Sequence, residues 1–380
     1  MPMLEITKGY CQLKTAGKIL LLITLLLRSV TSAAQDYALY HKSVNNAEIT
    51  FFLEQDTISA IKAYDSVLNA FDFVFLRDVL NAAQIAALKD DSVHALNFIY
   101  KGTANGLEKE DLCIYPLLEP YYEKLDNKTI QRQKKLYFSR IDSLLLKDWL
   151  MRYAHEQASK NSGHLWKHDS ISFVDILVNN TNELKNAIER GKFPGDKRIG
   201  IARNNYKAVF GNDSFDLLNI YYYNYYNAPL IFRDQFEITE SNLYQLLPII
   251  SLLHDPCAIE ILNRNIDVLI TSGEMHPRDY ALICDWTHEY NKWSDFKLYK
   301  IAGDRCSVLY PGINSPVFFN VTIPRLWSPI VQLGYYRNEI NSLREKYYIV
   351  PIEVDLEKYR VQQTTKMIFY SGFMGTAGPR

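Results

Sequence analysis

Histidine and aspartate side chains gather between residues 254 and 288, and their types and spacing suit acid–base chemistry. A histidine beside an aspartate can act as general acid and general base, and the same side chains can hold a divalent metal. The residues that we expect to carry such chemistry are His276, Asp279, Asp285 and His288. The pattern leaves the metal ligands unassigned and predicts no other cofactor. As an alternative function, it indicates a hydrolase-like enzyme that is metal-dependent or uses acid–base catalysis.

The turns between predicted helices that carry these residues weaken the case for one shared site. Asp255 and Asp279 are also explained as helix-opening residues, because a carboxylate there accepts unpaired backbone N–H groups and faces the positive end of the helix dipole. The turns at 255 and 276 lie at the two ends of one predicted helix of about twenty residues, and those ends are about 30 Å apart. That distance separates His254 from His276.

The catalytic motifs that the sequence approaches are incomplete. His155 and Glu156 begin the H-E-x-x-H pattern of zinc enzymes, but Ser159 stands where the second histidine belongs. His164 and His168 are four residues apart, and the Asn-Ser-Gly run before them favours a surface loop. We therefore expect a protein without demonstrable catalysis.

Helix start and stop signals define the elements that position these side chains. Gly191 and Gly273 follow apolar-periodic segments and are placed to end helices, while Asp255-Pro256 and His276-Pro277 are typical helix openings. Residues 129–158 read as one amphipathic helix with an apolar stripe. These signals predict a mainly α fold.

Two similar segments lie about 35 residues apart near the start of the chain. They read AEITFFLEQDTISAIKAYDSVL and NAAQIAALKDDSVHALNFIYKG, and their alignment places Ala60 on Ala95 and Asp56 on Asp91. Each reads as a helix, a short turn with an aspartate, and a second helix that opens with a small residue. The small residue permits close approach of two antiparallel helices. The pattern predicts stacked helical hairpins over residues 35–128.

These segments resemble the tetratricopeptide repeat, whose unit of about 34 residues carries small residues at fixed places in both helices. The sequence departs from that pattern at Glu48, which takes the place of the small residue of the first helix. The resemblance implies a concave surface that binds peptides or partner proteins. The alternative is that the array docks on the rest of the chain.

A second resemblance spans residues 129–293 and concerns an uncharacterised, mostly helical bacterial domain family. It rests on short motifs in the order IDSLLLKDWLMR, GKFPG and LLHDPCAIEILNRNIDVLITSGEMHPRDYALICDW. Trp149 departs from the family at a position that usually carries a polar residue. This family has no established activity, so the resemblance implies a helical fold rather than a function.

The amino terminus has the order of a secretory signal peptide. Lys14 and Lys18 precede the apolar run Ile19–Leu27, and the small residues 32–34 suit a signal peptidase. Arg28 interrupts the run before it reaches the roughly 20 residues of a membrane-spanning helix. We expect a periplasmic or extracellular protein without a membrane span in the mature chain. The alternative is a protein anchored by an uncleaved amino-terminal segment.

The composition excludes some partners and leaves other questions open. A net charge of −1 over 380 residues gives no electrostatic reason to bind nucleic acid.

The chain has 27 tyrosines, and a band of them lies at 221–226. If this band is exposed, it predicts glycan binding as a second alternative function; if it is buried, it packs in the core. The disulfide state of the cysteines that follow the signal stays open, and these are Cys113, Cys257, Cys284 and Cys306.

The sequence as a whole predicts a mainly α protein with a helical-repeat array, an α-rich domain and a small extended carboxy-terminal appendage. The expected divisions are a signal peptide (1–34), the repeats (35–128), a helical domain (129–300), a mixed appendage (301–370) and a frayed tail (371–380). Within the appendage, residues 317–323 and 347–356 read as extended. The leading function is an exported protein-interaction or scaffold protein that binds a protein or peptide.

Overall fold

The structure, a computed structural model, describes residues 35–161, 170–200, 252, 258–290, 318 and 337–369. Of these residues, 76% are helical and none lies in a strand. The prediction of a mainly α fold is therefore confirmed. None of the helices in the described ranges is long and apolar enough to span a membrane.

The first four helices form two antiparallel hairpins. They are α1 (Tyr37–Phe52), α2 (Thr57–Ala70), α3 (Leu76–Leu88) and α4 (Ser92–Thr103). Helix α1 packs along α2, α3 packs along α4, and α2 also contacts α3 and α4. Both hairpin turns therefore lie at the same end of the array.

The two hairpins share local geometry at an offset of 35 residues. Asp56 and Asp91 accept the backbone N–H groups of Ser59 and His94 at 3.0 and 3.2 Å, which satisfies unpaired donors at the starts of α2 and α4. Gln55 and Asp90, one residue earlier, have positive φ angles of 58° and 60°. Ala60 and Ala95 are both fully buried. The assignment to the tetratricopeptide family stays a prediction.

The middle of the chain contains two short 3₁₀ helices, Lys109–Ile114 and Glu119–Lys124, followed by four α-helices. These are α5 (Asn127–Arg140), α6 (Ser143–Asn161), α7 (Ser170–Glu189) and α8 (Asp196–Ile199). Gly191 has a φ angle of +64° just after α7, as its placement predicts.

The prediction of one continuous helix over 129–158 is wrong, because the helix is interrupted at Ile141 and Asp142. Ile141 is extended, with φ −70° and ψ 122°. The carboxylate of Asp142 accepts the N–H of Leu145 at 3.0 Å, and its backbone N–H donates to the carbonyl of Arg198 at 2.8 Å. A capping aspartate held by a distant segment therefore starts a new helix.

The carboxy-terminal half contains four helices in the described ranges. They are α9 (Ala258–Thr271), α10 (Pro277–Tyr290), α11 (Arg337–Lys346) and α12 (Ile352–Thr364). Gly273 lies between α9 and α10 with a φ angle of +71°, so the predicted helix end at this glycine is confirmed.

The prediction that 347–356 is extended is wrong from Ile352 onward. Pro351 restricts the residue before it, but at the start of a helix its missing N–H costs nothing.

Two hydrophobic cores hold these elements. The first contains the apolar faces of α1 to α4 together with Val350, Val354, Met367 and Phe369. The second contains Trp149, the inner faces of α9 and α10, and residues of α6 and α7. The described residues from Tyr37 onward belong to one compact unit. The predicted divisions at 128 and 300 stay predictions.

Several predicted features lie outside the described residues. They are the signal peptide (1–34), His164 and His168, the tyrosine band (221–226), His254 and Asp255, Cys257, Cys306, all of 317–323 except Phe318, and the tail (371–380). Of the cysteines inside the described residues, Cys113 is exposed and Cys284 is buried.

Candidate functional site

Two of the four predicted site residues lie together at the start of α10, facing α3. His276 precedes the helix and its Nε2 is 3.5 Å from Asp78 Oδ1. Asp279 lies in the first turn and its Oδ1 accepts from Arg77 Nη2 at 2.7 Å. The structure thus pairs His276 and Asp279 with two consecutive residues of α3, neither of which carried a motif.

The other two predicted residues do not join this contact. Asp285 is fully buried further along α10, where its carboxylate accepts the backbone N–H of Phe318 at 2.6 Å. His288 lies within α10, and its side chain is outside the described part of the structure. Asp285 therefore positions a different segment of the chain.

His276 is buried among aromatic rings as well as charges. Its side chain is 8% exposed, and its ring centroid lies 5.5 Å from that of His41 and 4.9 Å from that of Phe75. The backbone N–H of Arg278 donates to its Nδ1 at 3.1 Å. Burial, followed by the nearby Arg77 and Arg278, lowers the pKa of His276 well below its ordinary range. The imidazole is closed to solvent, which does not suit a base that must reach a substrate.

Asp78 joins α3 to α1 in the same region. Its Oδ2 accepts the hydroxyl hydrogen of Tyr40 at 2.8 Å, and the Tyr40 oxygen accepts the backbone N–H of Phe75 at 3.2 Å. Burial raises the pKa of Asp78, an effect that nearby His41 opposes. This chain of hydrogen bonds satisfies polar groups that burial would otherwise leave unpaired.

Asp355 of α12 is the centre of a buried group of ion pairs. Arg278 donates to its two carboxylate oxygens at 3.0 and 2.6 Å, and Arg344 donates to Oδ2 as well. Burial alone would raise the pKa of Asp355, but Arg278, Arg344 and Lys358 together hold it well below its usual range. We call Glu48, Asp78, Arg278, Arg344, Asp355 and Lys358 the ionic cluster.

Glu48 ties this cluster to α1 and explains the departure from the repeat pattern. The ammonium of Lys358 donates to Glu48 Oε1 at 2.6 Å, and Asn81 Nδ2 donates to the same oxygen at 3.1 Å. Arg278 Nη2 lies 3.9 Å from the other carboxylate oxygen. A carboxylate therefore occupies the position where the pattern expects a small residue, because a cation from α12 approaches α1 there.

The face of the array formed by α1 and α3 is covered by the chain's own later residues. Lys358 reaches Glu48, and the amide of Gln84 bonds to the backbone of Ile368. Helices α9 and α12 both contact α1. The face that the tetratricopeptide resemblance implies for a partner is therefore filled from within the chain.

A carboxyl group that sequence reasoning missed lies close to this region. Burial, and then the nearby carboxylate of Asp279, raise the pKa of Asp196 to about 8, while Arg140 and Arg77 oppose the rise. The raised pKa favours the protonated form of this half-buried residue near neutral pH. Within the described ranges, no three His, Cys, Asp or Glu side chains are grouped to hold a metal ion.

Comparison of the chain with protein-family models, with curated protein sequences and with solved structures yields no match.

Proposed function

We propose that the chain is an exported protein-interaction or scaffold protein, and that it binds its partner through an apolar row at the hairpin turns. The row, which we call the turn ridge, consists of Leu53, Ile58, Leu88 and Val93. Export is supported by the amino-terminal sequence pattern.

The observation that carries this proposal is the exposure of large apolar side chains at equivalent positions of both hairpins. Ile58 and Val93, in the first turns of α2 and α4, are 56% and 68% exposed. Leu53, directly after α1, and Leu88, the last residue of α3, are 44% and 40% exposed. Single exposed apolar residues are common, but four at equivalent positions of two successive hairpin turns favour a protein-binding surface.

The predicted acid–base residues support the same conclusion. His276 and Asp279 are paired with Asp78 and Arg77 across the contact between α10 and α3, and their side chains are 8% and 17% exposed. Groups that are paired with one another in a closed contact satisfy each other's polar atoms and offer no open position for a substrate. Binding at an open surface is therefore the function that the geometry favours.

The test compares a double substitution in the turn ridge with a single substitution elsewhere, both in the full-length chain. Val93 and Val268 are both 68% exposed, but Val268 lies on α9, away from the turn ridge. The tagged wild type, Ile58→Glu/Val93→Glu and Val268→Glu are each incubated with the envelope fraction of the source cells. We expect a defined partner to be recovered with the wild type and with Val268→Glu, and to be lost with the ridge variant.

Thermal melts show whether all three proteins are folded. Because the substituted side chains are exposed, we expect each unfolding free energy to change by about 0.5 kcal/mol or less. Recovery of the same proteins with the ridge variant and the wild type would exclude the turn ridge as the binding surface.

A further inference from the structure

The segment that follows α12 crosses α3 as a short strap. We define the strap as residues 366–369. The chain leaves α12 at Thr365, which is extended with φ −126° and ψ −178°. Thr365 fixes the direction of the exit, because its hydroxyl donates to the carbonyl of Val361 at 2.8 Å and accepts the N–H of Met367 at 3.1 Å.

Gln84 binds the backbone at the middle of the strap. Its Nε2 donates to the carbonyl of Ile368 at 2.8 Å, and its Oε1 accepts the N–H of Ile368 at 2.8 Å. The amide thus pairs with both polar groups of one residue, as a neighbouring strand would. Gln84 is fully buried, so its side chain is held in place to make this pair. Because the contact is to backbone atoms, it does not depend on the side chain at 368.

The two residues on either side of Ile368 supply apolar anchors. Met367 and Phe369 are 1% and 8% exposed and belong to the first core. The ring of Phe369 lies 5.5 Å from that of Phe52, at an angle of 68°. Lys366 is exposed. The site on α1 and α3 therefore accepts an extended backbone with apolar side chains at the first and third of three positions.

The strap is attached separately from the ionic cluster. Asp355 and Lys358 fix the first half of α12, whereas the strap begins after Thr365 at the far end of the helix. Release of residues 366–369 would therefore leave the ion pairs of α12 intact. The strap contacts described above are two apolar anchors and one amide, and a segment held by few contacts opens more readily than the rest of a fold.

We propose that the surface around Phe52 and Gln84 is a peptide-binding site, and that the strap is its internal occupant. Its external ligand is an extended peptide of a partner protein with the pattern apolar–any–apolar, which binds after the strap is displaced. The site shares no residue with the turn ridge, so the proposal is independent of the function proposed above.

The binding test uses the full-length chain and a labelled peptide that copies residues 365–370, TKMIFY. The variant Met367→Ala/Phe369→Ala removes the anchors of the internal strap and leaves Phe52 and Gln84 in place. By fluorescence anisotropy, we expect the variant to bind the peptide at least about tenfold more tightly than the wild type, in which the strap competes at high effective concentration.

Two controls test the role of Gln84. A peptide methylated at the isoleucine nitrogen loses the N–H that Gln84 accepts, and we expect it to bind at least about tenfold more weakly. Adding Gln84→Leu to the anchor variant should also abolish binding, whereas adding Gln131→Leu, at an exposed position of α5, should not. Equal binding of the parent and methylated peptides would overturn the recognition by Gln84.

A measurement on the wild-type chain does not depend on how the variants fold. The amide proton of Ile368 exchanges slowly while Gln84 accepts it, and excess parent peptide should accelerate its exchange by displacing the strap. The methylated peptide should have little effect. If the parent peptide neither binds the anchor variant nor accelerates this exchange in the wild type, the proposal is wrong.

Discussion

Lys358 and Glu48 are 310 residues apart in the sequence, yet the Lys358 ammonium donates to a Glu48 carboxylate oxygen at 2.6 Å inside the protein. This contact joins α12 to α1, and the side chains of the two residues are 11% and 5% exposed. A buried pair of this kind is costly to break, because the remaining charge stays buried without its partner.

We expect Lys358→Met to lower the free energy of unfolding by about 3–5 kcal/mol, because Glu48 would then be buried without its nearest cation. Urea denaturation followed by circular dichroism measures this change. The matched control is Lys185→Met, since Lys185 lies 4.0 Å from Glu189 in an exposed pair. That substitution should change the free energy of unfolding by less than about 0.5 kcal/mol.

The double variant Glu48→Leu/Lys358→Met tests whether charge is the cause. It removes both charges, so we expect it to recover most of the stability that Lys358→Met loses. If the double variant is as unstable as the single one, the loss comes from packing around Lys358 rather than from the uncompensated carboxylate.

The buried histidines His41 and His276 should make the protein less stable at acid pH. Burial, and then the neighbouring His276, lower the pKa of His41 to about 3, and burial also lowers the pKa of His276. Between about pH 3 and 6.5 the unfolded chain therefore binds more protons than the folded one, so stability falls as the pH falls. Each histidine contributes at most about 1.4 kcal/mol per pH unit. We expect His41→Leu to reduce the loss of unfolding free energy per pH unit by about half between pH 5 and 6, measured by urea denaturation. An equal loss per pH unit in the wild type and the variant would contradict this prediction.

Asp196 should have the opposite dependence on pH. Because its pKa is raised to about 8, the folded chain holds a proton that the unfolded chain releases above about pH 4. Its contribution to stability therefore decreases as the pH rises between these values. We expect Asp196→Asn to stabilise the protein by about 1–2 kcal/mol at pH 7, a figure reduced for the partial exposure of the side chain. The gain should grow from about pH 5 to pH 8, and a loss of stability at pH 7 would show that the carboxylate has a favourable partner.

Gly273 and Gly191 form a matched pair that separates backbone strain from crowding. Both have positive φ angles, of 71° and 64°. A Cβ at Gly273 would lie 2.6 Å from the ring of Tyr37, whereas a Cβ at Gly191 would meet no described atom within 4 Å. We expect Gly191→Ala to lower the free energy of unfolding by about 1 kcal/mol. Gly273→Ala should lower it by about 2–4 kcal/mol, because the new Cβ is also crowded. Equal losses in thermal denaturation would contradict the contact with Tyr37.

Local sequence signals were sufficient where the physics is local. The helix end at Gly273 and the helix start at Pro277 follow from groups only a few residues apart. Where a distant segment intervened, the same reasoning failed. Asp142 starts a new helix because its N–H is held by the carbonyl of Arg198, and no periodicity within 129–158 contains that information.

The candidate site is the clearest example of this limit. The sequence singled out His276 and Asp279 by residue type, but Arg77 and Asp78, which pair with them, are about 200 residues earlier and carry no motif. Glu48 was visible only as a departure from a pattern, and its cause became clear when Lys358 was placed beside it.

By itself the sequence determined that the chain is mainly helical and where several helices begin and end, because caps, glycines and apolar periodicity act within one or two turns. The tertiary structure decided that the charged residues of α10 and α12 neutralise those of α1 and α3, and that residues 366–369 occupy the face of the array. Those outcomes depend on side chains brought together by folding of the whole chain, and burial then decides whether an ionisable group can react or can only stabilise the fold.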